Sequence, residues 1–333
     1  GEISYVCFDS RKRKLFIGDV DGRIILINIL NGVQMKYFSK HKNYISSLAY
    51  YDLGKKLIST SWDGLVKIHD DMSSEEKGQL LYELGNSGSR GNSCNSIDFN
   101  EKMGILASGF DNGNVTLINM KSLSSEGTLT DHKKVIIVKY ILQHPALIVC
   151  DQYGIIHFWS LVPTKPKKLI REFTEENKSN NENNKKETFP VKCFCYEDKN
   201  RYIMTCDETG WIKILEIKSF IEYIEFISKL KIIHYSDPIQ TVSEDHPDYK
   251  RPFEGDTNDL NCYVTIDRLN DYKEKLNLKA TKIKEWKGHK NGVSCCTCNS
   301  DPVFFVTSGL DLKVHVWSEE FELIGSLTTI CDP

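Results

Sequence analysis

The chain of 333 residues is 40% apolar and 27% charged, with 43 basic and 46 acidic side chains and a formal net charge of −3. This balance supports a large hydrophobic core and excludes a general nucleic-acid binder, because neither sign of charge dominates. No apolar run approaches the roughly 18 residues of a membrane-spanning helix, so the sequence predicts no membrane contact.

The cysteines indicate the redox compartment of the protein, and the first residue indicates whether the given chain is a fragment. The 11 cysteines form an odd set spread along the chain. Such a set is typical of a reducing compartment rather than of a disulfide framework, and it predicts a cytoplasmic location. Residue 1 is Gly rather than Met, so we expect the chain to be a piece of a longer protein.

The first part of the chain alternates apolar and polar side chains in four short runs. We expect strands at Ile3–Phe8, Lys14–Gly18, Arg23–Asn28 and Val33–Phe38. Alternation with period two predicts half-buried strands, and Asp and Gly between the runs predict tight turns. The sequence therefore predicts one four-stranded unit over about residues 3–39.

Three further copies of this pattern follow, over about residues 41–84, 92–130 and 131–173. The third copy has expected strands near Cys94–Phe99, Ile105–Gly109, Val115–Asn119 and Glu126–Leu129. After the fourth copy, the polar run Asn177–Glu187 cannot bury a core and is predicted to be mobile.

The fifth copy, about residues 189–287, is interrupted. Phe189–Ile217 supplies three strands, and then Ser219–Lys231 places apolar residues at helical spacing. We interpret Lys218–Thr281 as a partly helical insertion, after which Lys282–Lys287 returns as the fourth strand. The alternative is a seventh copy hidden in the insertion, although no Gly/Asp turn with flanking alternation occurs there.

The sixth copy, about residues 288–330, is the most regular. Gly288-His289 opens it, and Trp317 closes its third run 28 residues after His289. Aligning all copies on the Trp317 position gives six anchors: Ile27, His69, Ile118, Trp159, Leu215 and Trp317. Their spacings are 42, 49, 41, 56 and 102 residues, and two of these lie close to the roughly 40–45 residues of a propeller repeat.

This pattern resembles the WD-repeat family, in which each repeat builds one blade of a β-propeller. The resemblance implies an all-β fold with six recognisable four-stranded blades in a single domain over residues 1–333. It also implies a hydrogen-bonded tetrad of His, Ser or Thr, Asp and Trp within a blade. Carried over residue by residue, the tetrads are His41, Ser59 and Asp63, with His69 at the Trp position, and His289, Thr307, Asp311 and Trp317. The first and fifth copies are expected to lack such a network.

No motif in the sequence indicates catalysis. There is no Gly-rich phosphate loop, no GxSxG elbow and no HExxH, so we expect neither an enzyme nor a cofactor. Cys295-Cys296-Thr297-Cys298 contains the CxxC spacing of zinc sites. Alternation points Cys295 away from the other two, and no second ligand pair lies at short range. We therefore expect no metal site and interpret these cysteines as small core residues.

The resemblance also indicates where a partner would bind. WD-repeat propellers that bind peptides use two positions per blade at the channel mouth. The residue before the turn Asp gives Val20, Trp62, Asp111, Gln152, Glu208 and Leu310. The residue after the first apolar position of the inner strand gives Ser4, Ser46, Asn95, Ile136, Lys192 and Ser294.

Among these residues, Trp62 is the predicted anchor of a partner segment, flanked by Ser46 and Asp111. An aromatic in this turn has no core to fill, and exposed aromatics are frequent anchors of protein interfaces. The alternative is that Trp62 packs on a neighbouring loop.

The function implied by the resemblance is a non-catalytic scaffold that binds proteins or peptides at the channel face and at the insertion, without nucleic acid. A weaker resemblance to the large axonemal WD-repeat proteins, often linked to EF-hands, is carried by Ala146–Trp159 and by Phe304–Trp317 followed by Gly325-Ser326-Leu327. It implies a structural or assembly component of cilia. The alternative is a substrate receptor of a ubiquitin ligase. That class often shows a Trp-Asp-x-Arg motif after the third strand, and no copy here has Arg at that position.

Overall fold

The computed structural model describes residues 2–73, 75–85, 92–141, 143–162, 164–165, 170–176, 178–180, 186–229, 231–233, 263–265, 272–274 and 276–328. The chain forms two compact units, Gly1–Tyr140 with Val149–Tyr153 and Ile141–Ile148 with Gly154–Pro333. Within the described ranges, no helix has the length and apolar character that a bilayer span requires.

The first unit contains three four-stranded antiparallel sheets whose strands lie in sequence order. The first sheet consists of β1 (Ile3–Phe8), β2 (Lys14–Asp19), β3 (Ile24–Asn28) and β4 (Gln34–Tyr37). The second consists of β5 (Ile45–Tyr51), β6 (Lys56–Ser61), β7 (Val66–Asp70) and β8 (Gln79–Leu84). The third consists of β9 (Cys94–Asn100), β10 (Ile105–Phe110), β11 (Val115–Asn119) and β12 (Ser124–Leu129).

The fourth sheet is divided between the two units. It consists of β13 (Val135–Ile141), β14 (Ala146–Asp151), β15 (Ile155–Ser160) and, after the two-residue strand β16 (Thr164–Lys165), β17 (Ile170–Glu176). Part of the polar run Asn177–Glu187 contributes to an antiparallel pair, β18 (Lys178–Asn180) and β19 (Lys186–Thr188), and residues 177 and 181–185 lie outside the described residues. Backbone pairing needs no apolar side chains, which is why composition did not reveal it.

The fifth sheet contains a long interruption. Its first strands are β20 (Val191–Glu197), β21 (Tyr202–Asp207) and β22 (Trp211–Glu216). Helix α1 (Lys218–Ile227) and the short strands β23 (Lys231–Ile233) and β24 (Tyr263–Thr265) follow, and β25 (Thr281–Lys287) then pairs with β22. β16, β23 and β24 form a parallel sheet that the sequence did not predict. Most of the region assigned to the alternative seventh copy lies outside the described residues.

The sixth sheet consists of β26 (Val293–Ser300), β27 (Val303–Gly309), β28 (Lys313–Trp317) and β29 (Leu323–Thr328). Six four-stranded antiparallel sheets are the blades of a β-propeller, and the predicted all-β fold class is confirmed. Burial follows strand position, since β14 in the middle of a sheet is buried along its whole length whereas the outer strand β29 is mostly exposed. This gradient explains the continuous apolar run of β14.

The anchor residues occupy one structural position in all six sheets. The register between the third and fourth strands shifts by one residue immediately before each anchor: Ile27, His69, Ile118, Trp159, Leu215 and Trp317. A β-bulge of this kind re-aims the side chain that follows it. Copies with little sequence similarity therefore share a backbone irregularity.

Hydrophobic cores lie between neighbouring sheets of the same unit. Phe16 and Leu26 of the first sheet pack with Leu48 of the second, whereas Met204 of the fifth sheet packs with Phe305 of the sixth. Each sheet is too thin to bury both faces alone, so stability arises from face-to-face contact.

The beginning of the insertion is part of the core of the second unit. One face of α1 is buried, and Phe220 makes an edge-to-face contact with Phe158, with ring centroids 5.4 Å apart. On the same helix, Glu225 accepts a hydrogen bond from Arg201 at 3.1 Å, and Arg201 also contacts His144 at 2.8 Å. α1 therefore docks on the sheets rather than extending from them.

The turn between the second and third strands needs a left-handed residue at one position. Glycines with φ between 75° and 92° occupy it in five sheets: Gly22, Gly64, Gly113, Gly154 and Gly210. In the sixth sheet Leu312 adopts the same conformation, with φ 62°. A Cβ at Gly210 would lie 2.3 Å from the carbonyl oxygen of His289, which opens the next repeat. Glycine therefore provides both the dihedral angle and the space for the adjoining loop.

We expect Gly210→Ala to lower the free energy of unfolding by at least roughly 1–2 kcal/mol, because the left-handed conformation and the contact with His289 O both penalise a Cβ. Gly325→Ala is the matched control, since no atom lies within 4 Å of its added Cβ. Denaturant unfolding measures both variants. Equal effects would contradict the assigned turn.

Candidate functional site

The sixth sheet contains a hydrogen-bonded chain of four side chains. His289 Nδ1 lies 2.9 Å from Asp311 Oδ1, and His289 Nε2 lies 2.8 Å from Thr307 Oγ1. Trp317 Nε1 donates to the same Thr307 oxygen at 2.9 Å, and Lys290 N donates to Asp311 at 3.0 Å. Because the carboxylate only accepts, Nδ1 carries the ring proton and Nε2 accepts the Thr307 hydroxyl proton. The partners thereby fix the tautomer of His289.

The second sheet contains the corresponding arrangement. His41 Nδ1 lies 3.0 Å from Asp63 Oδ2, and His41 Nε2 lies 2.9 Å from Ser59 Oγ. Burial alone would raise the pKa of Asp63, but hydrogen bonds from His41 and from Lys42 N lower it to about 2. The carboxylate therefore stays ionised and holds the loop of His41 against the turn.

His69 takes the Trp position of the second sheet but bonds differently. Its Nε2 lies 2.6 Å from Ser39 Oγ, so the ring connects to the preceding loop, whereas the indole of Trp317 bonds to Thr307 of its own sheet. Burial, together with the nearby His41 and Lys67, lowers the pKa of His69 to about 3. The imidazole is therefore neutral at pH 7.

The less regular sheets place a carboxylate two residues earlier than the sequence alignment assumed. In the fifth sheet, Asp207 Oδ1 accepts from Thr209 N at 2.9 Å, Thr209 Oγ1 at 2.7 Å and Trp211 N at 3.1 Å. Asp19 and Asp151 likewise accept from backbone N–H groups of their turns. The first and fifth turns were expected to lack a tetrad, and in each of them a strand-end carboxylate binds backbone N–H groups of the turn. The sequence does contain a signal for these carboxylates, which is an Asp three residues before the turn Gly: Asp19-x-x-Gly22, Asp151-x-x-Gly154 and Asp207-x-x-Gly210.

The predicted partner-binding turn residues share one backbone contact. In five sheets, the residue before the turn Asp position donates its backbone N–H to the carbonyl oxygen of the residue that precedes the first strand. The N···O distances are 2.8–3.1 Å. The pairs are Val20–Glu2, Trp62–Tyr44, Asp111–Ser93, Gln152–Lys134 and Leu310–Gly292. These positions are therefore equivalent and lie beside the starts of the inner strands.

The second predicted set coincides with β-bulges of the inner strands. Register shifts leave one residue without a cross-strand partner in five sheets: Ser4, Ser46, Asn95, Lys192 and Ser294. Two of these side chains reach the next sheet of the first unit, where Ser46 Oγ donates to Cys94 O at 2.6 Å and Asn95 Nδ2 donates to Val135 O at 2.7 Å. The single hydroxyl proton of Ser46 is thus used between sheets.

Trp62 is half exposed on a firmly held turn. Its side chain is 51% exposed, and its ring stacks on Tyr44 with centroids 4.6 Å apart. Its carbonyl accepts from Ser93 Oγ at 3.3 Å. Since Ser93 O also accepts from Asp111 N at 2.9 Å, the turns of the second and third sheets are adjacent. Trp62 therefore contacts the loop of Tyr44 and keeps an exposed face, and its role as a partner anchor stays a prediction.

The neighbouring turns of the first unit carry charge. Asp111 Oδ1 lies 3.0 Å from Lys134 Nζ and accepts from Asn95 Nδ2 at 2.8 Å. Gln152 is half-buried, and its N–H bonds to Lys134 O. The charge of Asp111 is therefore balanced by Lys134, whose side chain is 41% exposed.

The second unit presents different side chains at the equivalent positions. Lys192 and Glu208 form an ion pair at 3.5 Å with both side chains about half exposed. Leu310 is 66% exposed. Surface ion pairs of this kind contribute little to stability, so all three are available at the surface of this unit.

Cysteine placement differs from the sequence expectation. Cys295 is exposed, as alternation predicted, whereas Cys296 and Cys298 pack against the core between the fifth and sixth sheets. No second ligand pair lies near them in the sequence, but Cys193, Cys195 and Cys206 of the fifth sheet pack against the same core. The spacing of cysteines along the sequence does not reveal a contact between two sheets.

A second group of potential ligands, His289, Asp311 and His315, has its ligand atoms within 4.8 Å of one another. It does not offer a metal site. His289 Nδ1 carries a proton directed at Asp311, and Nε2 accepts from Thr307, so neither nitrogen has a free lone pair.

The fold and its networks define a class of protein, a β-propeller whose turns are closed by buried polar side chains. A family model described as WD domain, G-beta repeat matches residues 32–70 and 280–318. Both stretches begin before the fourth strand of one sheet and end at the third strand of the next. Both matched stretches are WD repeats, which supports a WD-repeat β-propeller for the six sheets. None of the curated proteins compared with the chain matches it.

Asp311→Ala is expected to lower the free energy of unfolding by roughly 1–3 kcal/mol, because His289 Nδ1–H and Lys290 N lose their acceptor inside the sheet. Asp21→Ala is the matched control at the equivalent turn position, where the Asp21 side chain is 52% exposed. We expect it to change stability by no more than about 0.5 kcal/mol. Similar losses in urea unfolding would contradict the assigned tetrad.

His69 should make stability depend on pH. The unfolded chain binds a proton at His69 below about pH 6.5, whereas the folded chain does so only near pH 3. Stability is therefore lost as pH falls below 6.5, by up to about 1.4 kcal/mol per pH unit. His69→Gln should flatten the slope between pH 7 and 5, and Ser39→Ala, which keeps the imidazole, should not. Identical slopes for wild type and His69→Gln would refute this.

Proposed function

We propose that the chain is a non-catalytic protein-interaction scaffold and that Trp62 anchors an extended partner segment. The observation that carries this proposal is the large exposed aromatic face on a turn whose backbone is fixed. The N–H of Trp62 donates to Tyr44 O, its carbonyl accepts from Ser93, and the adjacent Asp63 is bound by His41. A rigid aromatic loses little entropy when a partner covers it.

The chemistry around Trp62 favours a segment with one apolar side chain beside polar backbone groups. Trp62 and Tyr44 supply an aromatic surface, and the partly exposed ammonium of Lys134 supplies hydrogen-bond donors on the side of the third sheet. Ser46 was expected to flank the site, but its proton is donated to Cys94 O. We therefore assign recognition to Trp62, Tyr44 and Lys134, with Asp111 as the residue that positions the lysine.

The absence of catalysis is part of the same proposal. In the second sheet, Asp63 and His69 have lowered pKa values, and they are hydrogen-bonded to His41 and to Ser39 of the preceding loop. Groups partnered in this way stabilise a fold, so their shifted pKa values do not by themselves indicate a catalytic role.

The cellular setting is proposed from sequence resemblance alone. Ala146–Trp159 and Phe304–Trp317 resemble segments of axonemal WD-repeat proteins, so we propose a cytoplasmic scaffold that serves in ciliary assembly. A tagged chain expressed in a ciliated cell should then concentrate at the cilium or its base. Uniform cytoplasmic distribution would contradict this setting and leave the scaffold proposal standing.

Trp62→Ala should weaken the binding of peptides selected on the wild-type chain from a random displayed library by at least tenfold, as the loss of an interface anchor of about 2 kcal/mol or more does. The melting temperature should change little, because the ring is half exposed. Tyr37→Ala is the control, since Tyr37 is a comparably exposed aromatic on the outer strand β4. Full binding by Trp62→Ala, with loss on replacing residues 234–262 by a short linker, would assign docking to the insertion instead.

A further inference from the structure

Five cysteines converge on the boundary between the fifth and sixth sheets. Cys193 and Cys195 lie on β20, Cys206 on β21, and Cys296 and Cys298 on β26. Residues two apart on a strand share a face, so each pair presents both sulfurs to the same side. Cys206 is the direct cross-strand partner of Cys193. Three strands thus direct thiols into one region.

The sulfur atoms are close enough to share a ligand. The Sγ atoms of Cys193, Cys206 and Cys296 all lie within 4.8 Å of one another. Sulfurs around a tetrahedral cation with bonds of about 2.3 Å are separated by about 3.8 Å, a distance that small side-chain rotations would reach. Cys195 and Cys298 lie two residues from Cys193 and Cys296 on the same strands and pack against the same core, so a fourth sulfur is near.

The surroundings select the kind of ligand. Met204, Ile212, Phe305 and Trp317 belong to the apolar core against which these cysteines pack, and Cys206 is completely buried within it. Met204 is the cross-strand partner of Cys195 and adds a thioether to the same sheet. A donor set built from sulfur excludes Mg²⁺ and Ca²⁺, which need oxygen ligands, and suits Zn²⁺ or Cu⁺.

We propose that Cys193, Cys206 and Cys296, completed by Cys195 or Cys298, form a thiolate site for a thiophilic d¹⁰ cation, Zn²⁺ or Cu⁺. Each ligating thiol releases one proton when its sulfur binds the cation, and no oxidant or reductant is needed. Because the ligands come from both sheets, the bound cation joins the fifth sheet to the sixth. The inference is independent of the Trp62 surface.

The experiment uses the full chain, purified under a thiol-free reductant and stripped of metal. Zn²⁺ is titrated against a chromophoric chelator, and Cu⁺ is titrated anaerobically against a Cu⁺-selective one. We expect one equivalent to bind and the melting temperature to rise with whichever cation binds more tightly. Co²⁺ should give the intense near-ultraviolet absorption of thiolate coordination. Titration of the wild-type chain tests the site without any substitution.

Two variants separate the site from adventitious binding. Cys296→Ser should weaken binding at least tenfold, whereas Cys295→Ser, which changes the exposed neighbour on the same strand, should leave it unchanged. Circular dichroism of the stripped variants checks folding. The proposal is overturned if the wild-type chain binds neither cation stoichiometrically, or if Cys296→Ser binds as tightly as wild type. A Cys193–Cys206 disulfide that forms in place of binding would also overturn it.

Discussion

The fold depends on how the turn between the second and third strands of one sheet contacts the loop that opens the next repeat. At Gly210 the backbone is left-handed, the space beside it is filled by His289 O, and the N–H of His289 donates to Gly210 O at 3.2 Å. Gly22 and His41 repeat this contact in the first unit. Each His is then held by its own Asp, so the contact and the tetrad together set the spacing of successive sheets.

This constraint explains why the architecture could be predicted from sequence. The turn Gly, the loop His and the strand alternation are local patterns, and they located the strands of the first and third sheets to within one or two residues. Bulges before Ile27, Ile118 and Leu215 show that the alignment held where an aliphatic residue takes the Trp position. The carboxylates of Asp151 and Asp207 were missed because the alignment of the copies fixed the Asp position. Backbone N–H groups of the turn can also donate to a carboxylate two residues earlier.

The parts that sequence could not supply depend on contacts between elements. Nothing near Cys296 indicates Cys193, since the two meet only when adjacent sheets stack. Ser46 illustrates the same limit, because it was predicted as a partner-binding residue from its place in the repeat, whereas its hydroxyl proton is donated to the next sheet. Exposure of Trp62 was predictable from its turn, whereas its stacking on Tyr44 depends on how the preceding loop returns.

The shared turn geometry also explains how one scaffold can present varied chemistry. Equivalent backbone positions, held by the same N–H contact, display Val20, Trp62, Asp111, Gln152 and Leu310. Because the backbone is fixed by the fold, side chains at these positions can vary without cost to the sheets, and recognition can change while the architecture stays constant. Leu310 also lies in the turn of a sheet that has a tetrad, and it is well exposed. An aliphatic side chain, however, has less surface to bury than an indole. Rigidity, exposure and aromatic area coincide at Trp62, which is the physical reason to assign recognition to the second sheet.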